Sequence, residues 1–539
     1  LRDSKNAING SAETSWSSSS STADNSSTPP LDAKAYTADE SSPLIDCHLS
    51  RKHNKLWAPH SILKSWMQYQ PSPIPVFNKT LPPNSVSLFV LAFLAMNAFY
   101  NFYRIPLQMF YLFVFADRCG MLFVANLPLL YLLSAKNQPI TFLTGFSYET
   151  LNIFHRRVGE LLCFEALLHF LGMNLVWYGL LRRLGFTLAK FLFNRVVGLG
   201  LGAFIAYEVL YFTSLGSFRR KCYEIFLATH IFLQFAGLVL LFLHHRTSRP
   251  YVVISLLIFI VDRVVYRLWL KSSTHPATLT VLDDQETLLL SSDWDVKSRN
   301  SALVPRSMRH GWEPNDHIFL TIPSLSRKHN LQAHPFTIFS AAPTDNRGLG
   351  PEHAWFSLLI RAQADNGFTR ALLNHAYQTS TIHIRLDGPY GSSHALDILE
   401  RSDNAIIVAG GSGIAVAYPL LWALLRPTTP YSDPESGRTR TIRRVKLLWI
   451  THCASHRSWL PEDKLRELEE WGLQVLLPAP TSEVGRPDVR KILANWIEGE
   501  NTGVVVSGPE GLVRDVRNTC ASLIRHGELV SVQVEKFGW

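Results

Sequence analysis

Cysteine and methionine are scarce in this chain of 539 residues, with six of each. Cys47, Cys119, Cys163, Cys222, Cys453 and Cys520 are scattered and none stands in a C-x-x-C pair, which excludes a disulfide framework and a cysteine-held metal. Charged residues make up only 18% of the chain, and although basic residues outnumber acidic ones by 52 to 43, no basic run of the nucleic-acid-binding kind occurs. The net charge of +9 therefore reads as membrane-surface and nucleotide-phosphate chemistry, with no nucleic acid partner. A first methionine is missing as well: the chain opens at Leu1, which reads as a fragment. Residues 1–56 lack the apolar content to build a core and, being rich in Ser and Thr, are expected to form a disordered tail.

What the chain has in quantity is apolar sequence between Val86 and Leu270. Six runs, near 86–103, 109–134, 153–180, 194–214, 222–244 and 251–270, each approach the ~20 residues that cross a bilayer. They predict a six-helix transmembrane domain over 86–271, preceded at 57–85 by a juxtamembrane segment whose Trp, Met, Leu and Lys suit a membrane surface. The second run carries Asp117 and Arg118, which read equally as a mutually neutralised pair or as part of a redox pathway. An even number of spans puts both flanks on one side. Lys and Arg occupy loops at both ends, so the charge rule does not choose that side.

Two pairs of histidines stand inside these runs. His155 and His169 are fourteen residues apart, and so are His230 and His244. On a helix, fourteen steps bring two side chains to within roughly 40° of one face and about 21 Å apart. Two such helices side by side present two tiers of facing imidazoles, His155 with His230 and His169 with His244, and a haem with two axial histidines fits each tier. His245 adjoins His244 and competes with it for the second tier; its angular offset favours His244.

Beyond Lys271 the patterning is that of soluble domains. Short alternating runs separated by Pro, Gly and Asp over 275–391 predict an antiparallel β-barrel. Over 400–539, strands at 405–409, 445–450, 473–477 and 504–506 alternate with helices at 414–425, 461–471 and 511–525, which predicts a doubly wound parallel sheet; 427–444 reads as an exposed insertion. Four motifs carry chemistry. His334-Pro335-Phe336-Thr337-Ile338 offers an aromatic, a hydroxyl and a fixed turn suited to a flavin ring. Gly388-Pro389-Tyr390-Gly391 is a tight turn that backbone phosphate contacts need. Gly410-Gly411-Ser412-Gly413-Ile414 joins a strand to a helix, where amides hold a phosphate. Ser507-Gly508-Pro509 follows a later strand on the same edge.

The order HPFTI, GPYG, GGSGI, SGPEG and a terminal Phe537-Gly538-Trp539 resembles the ferredoxin-reductase-like half of the ferric reductase and NADPH oxidase superfamily, and the two histidine pairs resemble its haem-binding membrane half. The resemblance runs from about Pro71 to Trp539 and is nearest to fungal ferric reductases, through Phe146-Ser147-Tyr148-Glu149, Leu215-Gly216-Ser217-Phe218-Arg219 and the FGW end. It implies an FAD-binding barrel with Thr337 near the isoalloxazine and His334, Pro335 and Phe336 around it. It implies an NADPH-binding α/β domain using Gly410 to Ile414 for the pyrophosphate and Arg486 for the adenosine side, with Ser507, Gly508 and Pro509 beside the nicotinamide and Trp539 over the flavin. Two b-type haems on His155, His169, His230 and His244 complete the set.

The implied activity is NADPH-dependent reduction of ferric or cupric ions across a lipid membrane, most naturally the plasma membrane, with both nucleotide domains cytosolic. On that topology the Asn9, Asn25 and Asn78 sequons are chance matches. Two departures bear on the site. The family commonly has Cys where Ser507 stands, and an Arg after Trp-Ile where Thr451 and His452 follow Trp449-Ile450, leaving Arg457 and Arg486 as candidate phosphate partners. A superoxide-generating NADPH oxidase and a silent scaffold of the same fold are the rival readings.

Overall fold

Large apolar side chains on the N-terminal helices face outward: Leu91, Phe164, Ile205, Phe232 and Leu257 are all exposed. Water would penalise such a surface and hydrocarbon would not. The computed structural model describes residues 58–535 except 75–79, 107, 138, 145–147, 298–305, 327–328, 331, 344–352, 364–366, 428–442 and 498. The expected tail, the three sequons, most of the 427–444 insertion and Trp539 lie outside the described residues.

The chain begins with α1 (Ala58–Gln68) and continues through α2 (Asn84–Phe102), α3 (Leu112–Ser134), α4 (Tyr148–Val176), α5 (Arg195–Ser214), α6 (Tyr223–His244) and α7 (Arg249–Ile260). Five helices among the described residues, α2 to α6, are long and apolar enough to cross a bilayer, which makes this a multi-pass membrane protein. The sixth expected span is corrected. After the twelve residues of α7 the chain winds as a π-helix over Val261–Leu270, and this carries Asp262, Arg263 and Arg267. Polarity enters there because these turns meet the soluble half.

Inside the bundle α3 packs along α4, α5 along α6 and α7 along α3. Gly172 of α4 lets the backbones approach, since a Cβ there would stand 2.6 Å from Ala116 Cβ. Phe123, Leu127, Leu162, Tyr207 and Leu241 form the buried centre. Asp117 and Arg118 do not pair: Arg118 donates to the carbonyls of Tyr100 (2.9 Å) and Tyr103 (3.3 Å), and the Asp117 side chain is exposed.

The soluble half starts with strands β1 (Ser272–Val281), β2 (Thr287–Asp295), β3 (His317–Thr321), β4 (His334–Thr337) and β5 (His353–Arg361). Helix α8 (Phe368–Ala376) and β6 (Thr381–Tyr390) complete an antiparallel sheet of order β4-β3-β6-β1-β2-β5. Its ends meet where Phe339 N donates to Ser357 O at 2.8 Å, the curl a barrel requires. The second sheet uses β7 (Asn404–Gly410), β8 (Arg444–Ile450), β9 (Leu473–Leu476), β10 (Thr502–Ser507) and β11 (Val530–Glu535). All its pairs are parallel and its order is β11-β10-β7-β8-β9, the doubly wound arrangement with its switch point between β7 and β10. Helices α9 (Ile414–Leu425), α10 (Glu462–Glu470), α11 (Val489–Trp496) and α12 (Glu510–Arg525) cover it. Here α1 docks on α12: Gln70 N donates to Asn518 Oδ1 (2.9 Å), Asn518 Nδ2 returns a bond to Gln70 O (3.0 Å), and Lys64 Nζ reaches Val530 O (3.1 Å).

The bundle and the flavin-type sheet meet through a buried polar knot. Asp262 Oδ1 accepts from the amides of Lys136 (3.0 Å) and Asn137 (3.1 Å) just beyond α3. Arg267 Nε pairs with Asp387 Oδ2 at 2.6 Å, and Tyr390 donates to the other Asp387 oxygen at 2.6 Å. The Lys136 ammonium stands over the Phe319 ring. The soluble half therefore attaches at the bundle end where α3 stops and α4 starts, and α7 with its π continuation carries the chain back to that end.

Two outcomes follow from this knot. Arg267→Ala strands a buried carboxylate and should cost about 3 to 5 kcal/mol, read as a lower denaturation midpoint of the full chain in detergent micelles. Burial, with the nearby Lys136 and Lys271 cations, holds His317 down at about 3 from 6.5. The unfolded chain thus gains a proton that the folded chain refuses, so stability is complete above about 6.5 and declines as the pH falls toward 3. His317→Gln should flatten that acid limb of the melting temperature; an unchanged limb would assign it to other groups.

Candidate redox sites

All four bundle histidines are held by the same nitrogen. His155 Nδ1 bonds to Leu130 O at 2.9 Å, His169 Nδ1 to Ala116 O at 2.7 Å and His244 Nδ1 to Val196 O at 2.8 Å. His230 Nδ1 meets Ser214 Oγ at 3.0 Å, and the hydroxyl proton of Ser214 is already given to Leu210 O at 2.6 Å. Each acceptor requires the imidazole to carry its proton on Nδ1, which leaves the lone pair on Nε2. Glycines make room for the rings: a Cβ on Gly120 would come to 2.9 Å from His169 Nδ1, and one on Gly200 to 2.6 Å from His244 Cε1.

The structure brings His169 and His244 together with ring centroids 6.5 Å apart and planes at 81°. That gap accommodates one metal–nitrogen bond of about 2 Å to each ring. His245 leaves the helix, and its Nδ1 accepts from Thr247 N at 3.3 Å. His155 and His230 stand near the ends of α4 and α6 closer to the soluble half. The donor chemistry and the paired arrangement fit a metal centre with two axial imidazoles.

In the antiparallel sheet β3 is flanked by the two motif strands. His317 registers with Thr337 of β4 on one side and with Tyr390 of β6 on the other, so HPFT and GPY end in one row; Gly388, Pro389 and Tyr390 are the end of a paired strand and not the tight turn expected. The Thr337 hydroxyl is buried without a hydrogen-bond partner among the described residues. The His334 ring stacks on Phe368 at 4.1 Å and 21°, and Phe336 tilts toward the same Phe368. In the parallel sheet Gly410 and Ser507 end neighbouring strands β7 and β10. The two glycine turns abut, for a Cβ on Gly508 would meet Gly410 Cα at 3.0 Å. Gly411 adopts φ +56, a turn that favours glycine, and Trp449 Nε1 fixes its carbonyl at 3.1 Å. Helix α9 begins at Ile414, so its free amides open onto this turn. Ser507 Oγ is buried and unpartnered among the described residues. Arg486 reaches the start of α12, 3.7 Å from a Cβ on Gly511, whereas Arg457 is tied to Pro478 O at 2.9 Å.

Sequence reasoning missed Asp316 and Glu535. Asp316 lies against Gly391 and accepts from Glu313 N (2.7 Å) and Arg306 Nη2 (2.6 Å); burial raises its carboxyl to about 6. Burial also raises Glu535, which shares hydrogen bonds with Gln533 and Asn315 and so ties β11 to the loop before β3. The Asn315-Asp316 turn, with Asn315 at φ +72, was a readable local signal; the reach of β11 was not.

The family described as ferric reductase like transmembrane component matches residues 119–241, and an FAD-binding domain family matches residues 301–394. Among curated relatives, a probable cell surface ferric reductase of Aspergillus oryzae is 26% identical over 419 residues, 74% of this chain and 52% of its own length. Ferric reductase transmembrane component 6 of Saccharomyces cerevisiae is 24% identical over 456 residues, 78% of this chain and 60% of its own. Ferric/cupric reductase transmembrane component 7 of the same yeast is 27% identical over 352 residues, 64% of this chain and 51% of its own. The chain thus spans between 52% and 60% of the first two relatives. With one family match falling on the bundle and the other on the flavin-type sheet, and with several fungal relatives covering both halves, the chain pairs a ferric-reductase-like transmembrane component with an FAD-binding domain, as the fungal ferric reductases it resembles.

Proposed function

We propose that the chain is a transmembrane metalloreductase that takes electrons from cytosolic NADPH and delivers them to ferric or cupric ions at the opposite face of the membrane, most naturally the plasma membrane. The observation that carries this reading is the four-fold use of Nδ1 as a donor, which leaves Nε2 of all four rings as the nitrogen with a lone pair to give. His155 with His230, and His169 with His244, would hold two b-type haems. FAD, when bound, would supply the change from two-electron to one-electron chemistry, and haems held by these histidines would supply one-electron relay.

The chain's own residues supply position and tuning. An Nδ1–H bonded to a carbonyl fixes the imidazole's rotation and raises the basicity of Nε2. The unpartnered Thr337 hydroxyl is a donor for the flavin's polar edge, and Tyr390 in the same row is anchored by Asp387. The Gly410–Gly413 turn and the α9 amides suit the NADPH pyrophosphate, Arg486 the adenosine side, and the unpartnered Ser507 hydroxyl the nicotinamide. Trp539, at the chain end, would cover the flavin.

Purified protein in liposomes tests this directly. NADPH should reduce Fe(III), and the reduced-minus-oxidised spectrum should show a low-spin b-type haem. Superoxide formed at the expense of Fe(III) reduction would instead mark an NADPH oxidase, and a spectrum without haem a silent scaffold. His155→Ala should remove one haem and NADPH-driven metal reduction while NADPH still bleaches the flavin. Loss of flavin reduction as well would contradict the wiring.

A further inference from the structure

We propose that α1 is a lipid-binding helix. Its apolar face lies in the headgroup–acyl boundary of the bilayer while its polar face holds the parallel sheet, so the membrane surface is itself a partner of the soluble half. The burial of this helix is inverted. Ser61, Lys64, Ser65 and Gln68 turn toward the protein, and Ser65 is only 9% exposed. Ile62, Leu63, Trp66 and Met67 face outward, with Leu63 54% and Trp66 49% exposed, and Tyr69 continues the row. At about 100° per residue the two sets occupy opposite arcs whose centres stand roughly 180° apart. A helix packed on a protein in water does the reverse, burying its apolar stripe and showing its polar one.

Hydrogen bonds fix the roll of the helix and place it at the edge of the membrane. Gln70 and Asn518 exchange two bonds just past its end, and Lys64 Nζ is held by Val530 O. Three more join this segment to the start of the first span: Asn84 N donates to Tyr69 O (3.0 Å), Asn84 Nδ2 to Trp66 O (2.9 Å) and Gln70 Nε2 to Leu81 O (2.8 Å). Asn84 is the first residue of α2, and Leu88 and Phe89, about one turn on, are exposed as well. Since the far end of α2 leads into α3, Asn84 lies at the bundle end where α3 stops, the end that carries the soluble half.

The outward side chains suit lipid better than protein. Trp and Tyr, each an apolar body with a polar tip, favour the membrane–water interface. Ile62, Leu63, Trp66, Met67 and Tyr69 carry no charge, so the attraction is apolar and indifferent to the sign of the headgroup. Residues 1–56 are rich in Ser and Thr and poor in apolar side chains to set against this face. A second copy would gain little, because one face of a helix about 16 Å long and about 10 Å across falls well short of the roughly 800 Å² that each partner of a stable dimer buries.

Photo-crosslinking of the full chain in phosphatidylcholine nanodiscs tests this, with p-benzoylphenylalanine in place of Leu63, of Met67 or, on the opposite face, of Gln68. Positions 63 and 67 should yield adducts that carry the mass of one phospholipid, in equal amount when phosphatidylserine is added to the disc and at low or high salt. Position 68 should instead cross-link to a peptide of α12. With the probe in place of Trp66, L63E/M67E should lower the lipid adduct about tenfold, whereas the conservative L63I/M67L should keep it. Adducts at 63 and 67 that join two copies of the chain would assign the face to a dimer, and adducts to residues 1–56 would assign it to the chain's own N-terminal segment. Either overturns the proposal, as does the absence of a lipid adduct or one that L63E/M67E leaves unchanged. The measurement involves no electron transfer, so its failure leaves the metalloreductase reading untouched.

Discussion

An imidazole has two nitrogens, and in this bundle the choice between them is made by the neighbouring helix. Leu130 O and Ala116 O, the acceptors for His155 and His169, are themselves fourteen residues apart on α3. Antiparallel helices share one rise per residue, so the spacing of the rings and the spacing of the carbonyls can match only in one register. A slip of one residue between α3 and α4 would break both bonds and turn both rings. Ring tautomer, ring orientation and helix register are thus one constraint. The small residues at the contact, Gly120 under His169 and Gly172 against Ala116, let the two helices come close enough for it to act.

The same logic of satisfying buried polar groups governs the junction below the bundle. Asp262, Arg267, Asp387, Tyr390 and Lys136 come from the end of one membrane rod, one interhelical turn and one strand of the flavin-type sheet. A charge in such a place is tolerable only when paired and hydrogen-bonded. The knot accordingly joins the end of the bundle to β3 and β6 of the flavin-type sheet through paired and hydrogen-bonded charges. The alternative, an apolar joint, would slide.

Much of this was legible in the residues because the signals are local. The fourteen-residue histidine interval, the strand–glycine–helix run around Gly410 and the alternation that builds the parallel sheet all lie within one or two elements, and each appears where the sequence places it. The failures share the opposite property. Asp117 and Arg118 are adjacent in sequence, yet Arg118 turns to the end of α2. The 251–270 run looks like one more apolar span, but its last turns are shaped by Asp387, more than a hundred residues away. The docking of α1 on α12 and the reach of β11 to Asn315 depend on partners several hundred residues off, which no local pattern announces.

The α1–α12 contact closes the polypeptide into a ring. The chain leaves the parallel sheet at Gln70, enters the first span at Asn84, threads the bundle, crosses the flavin-type sheet and returns to the parallel sheet, where Asn518 clasps Gln70 again. A domain hung from a single linker swings freely. One fixed at two separated points turns only about the line that joins them, so any swing of the parallel sheet is geared to the first membrane helix.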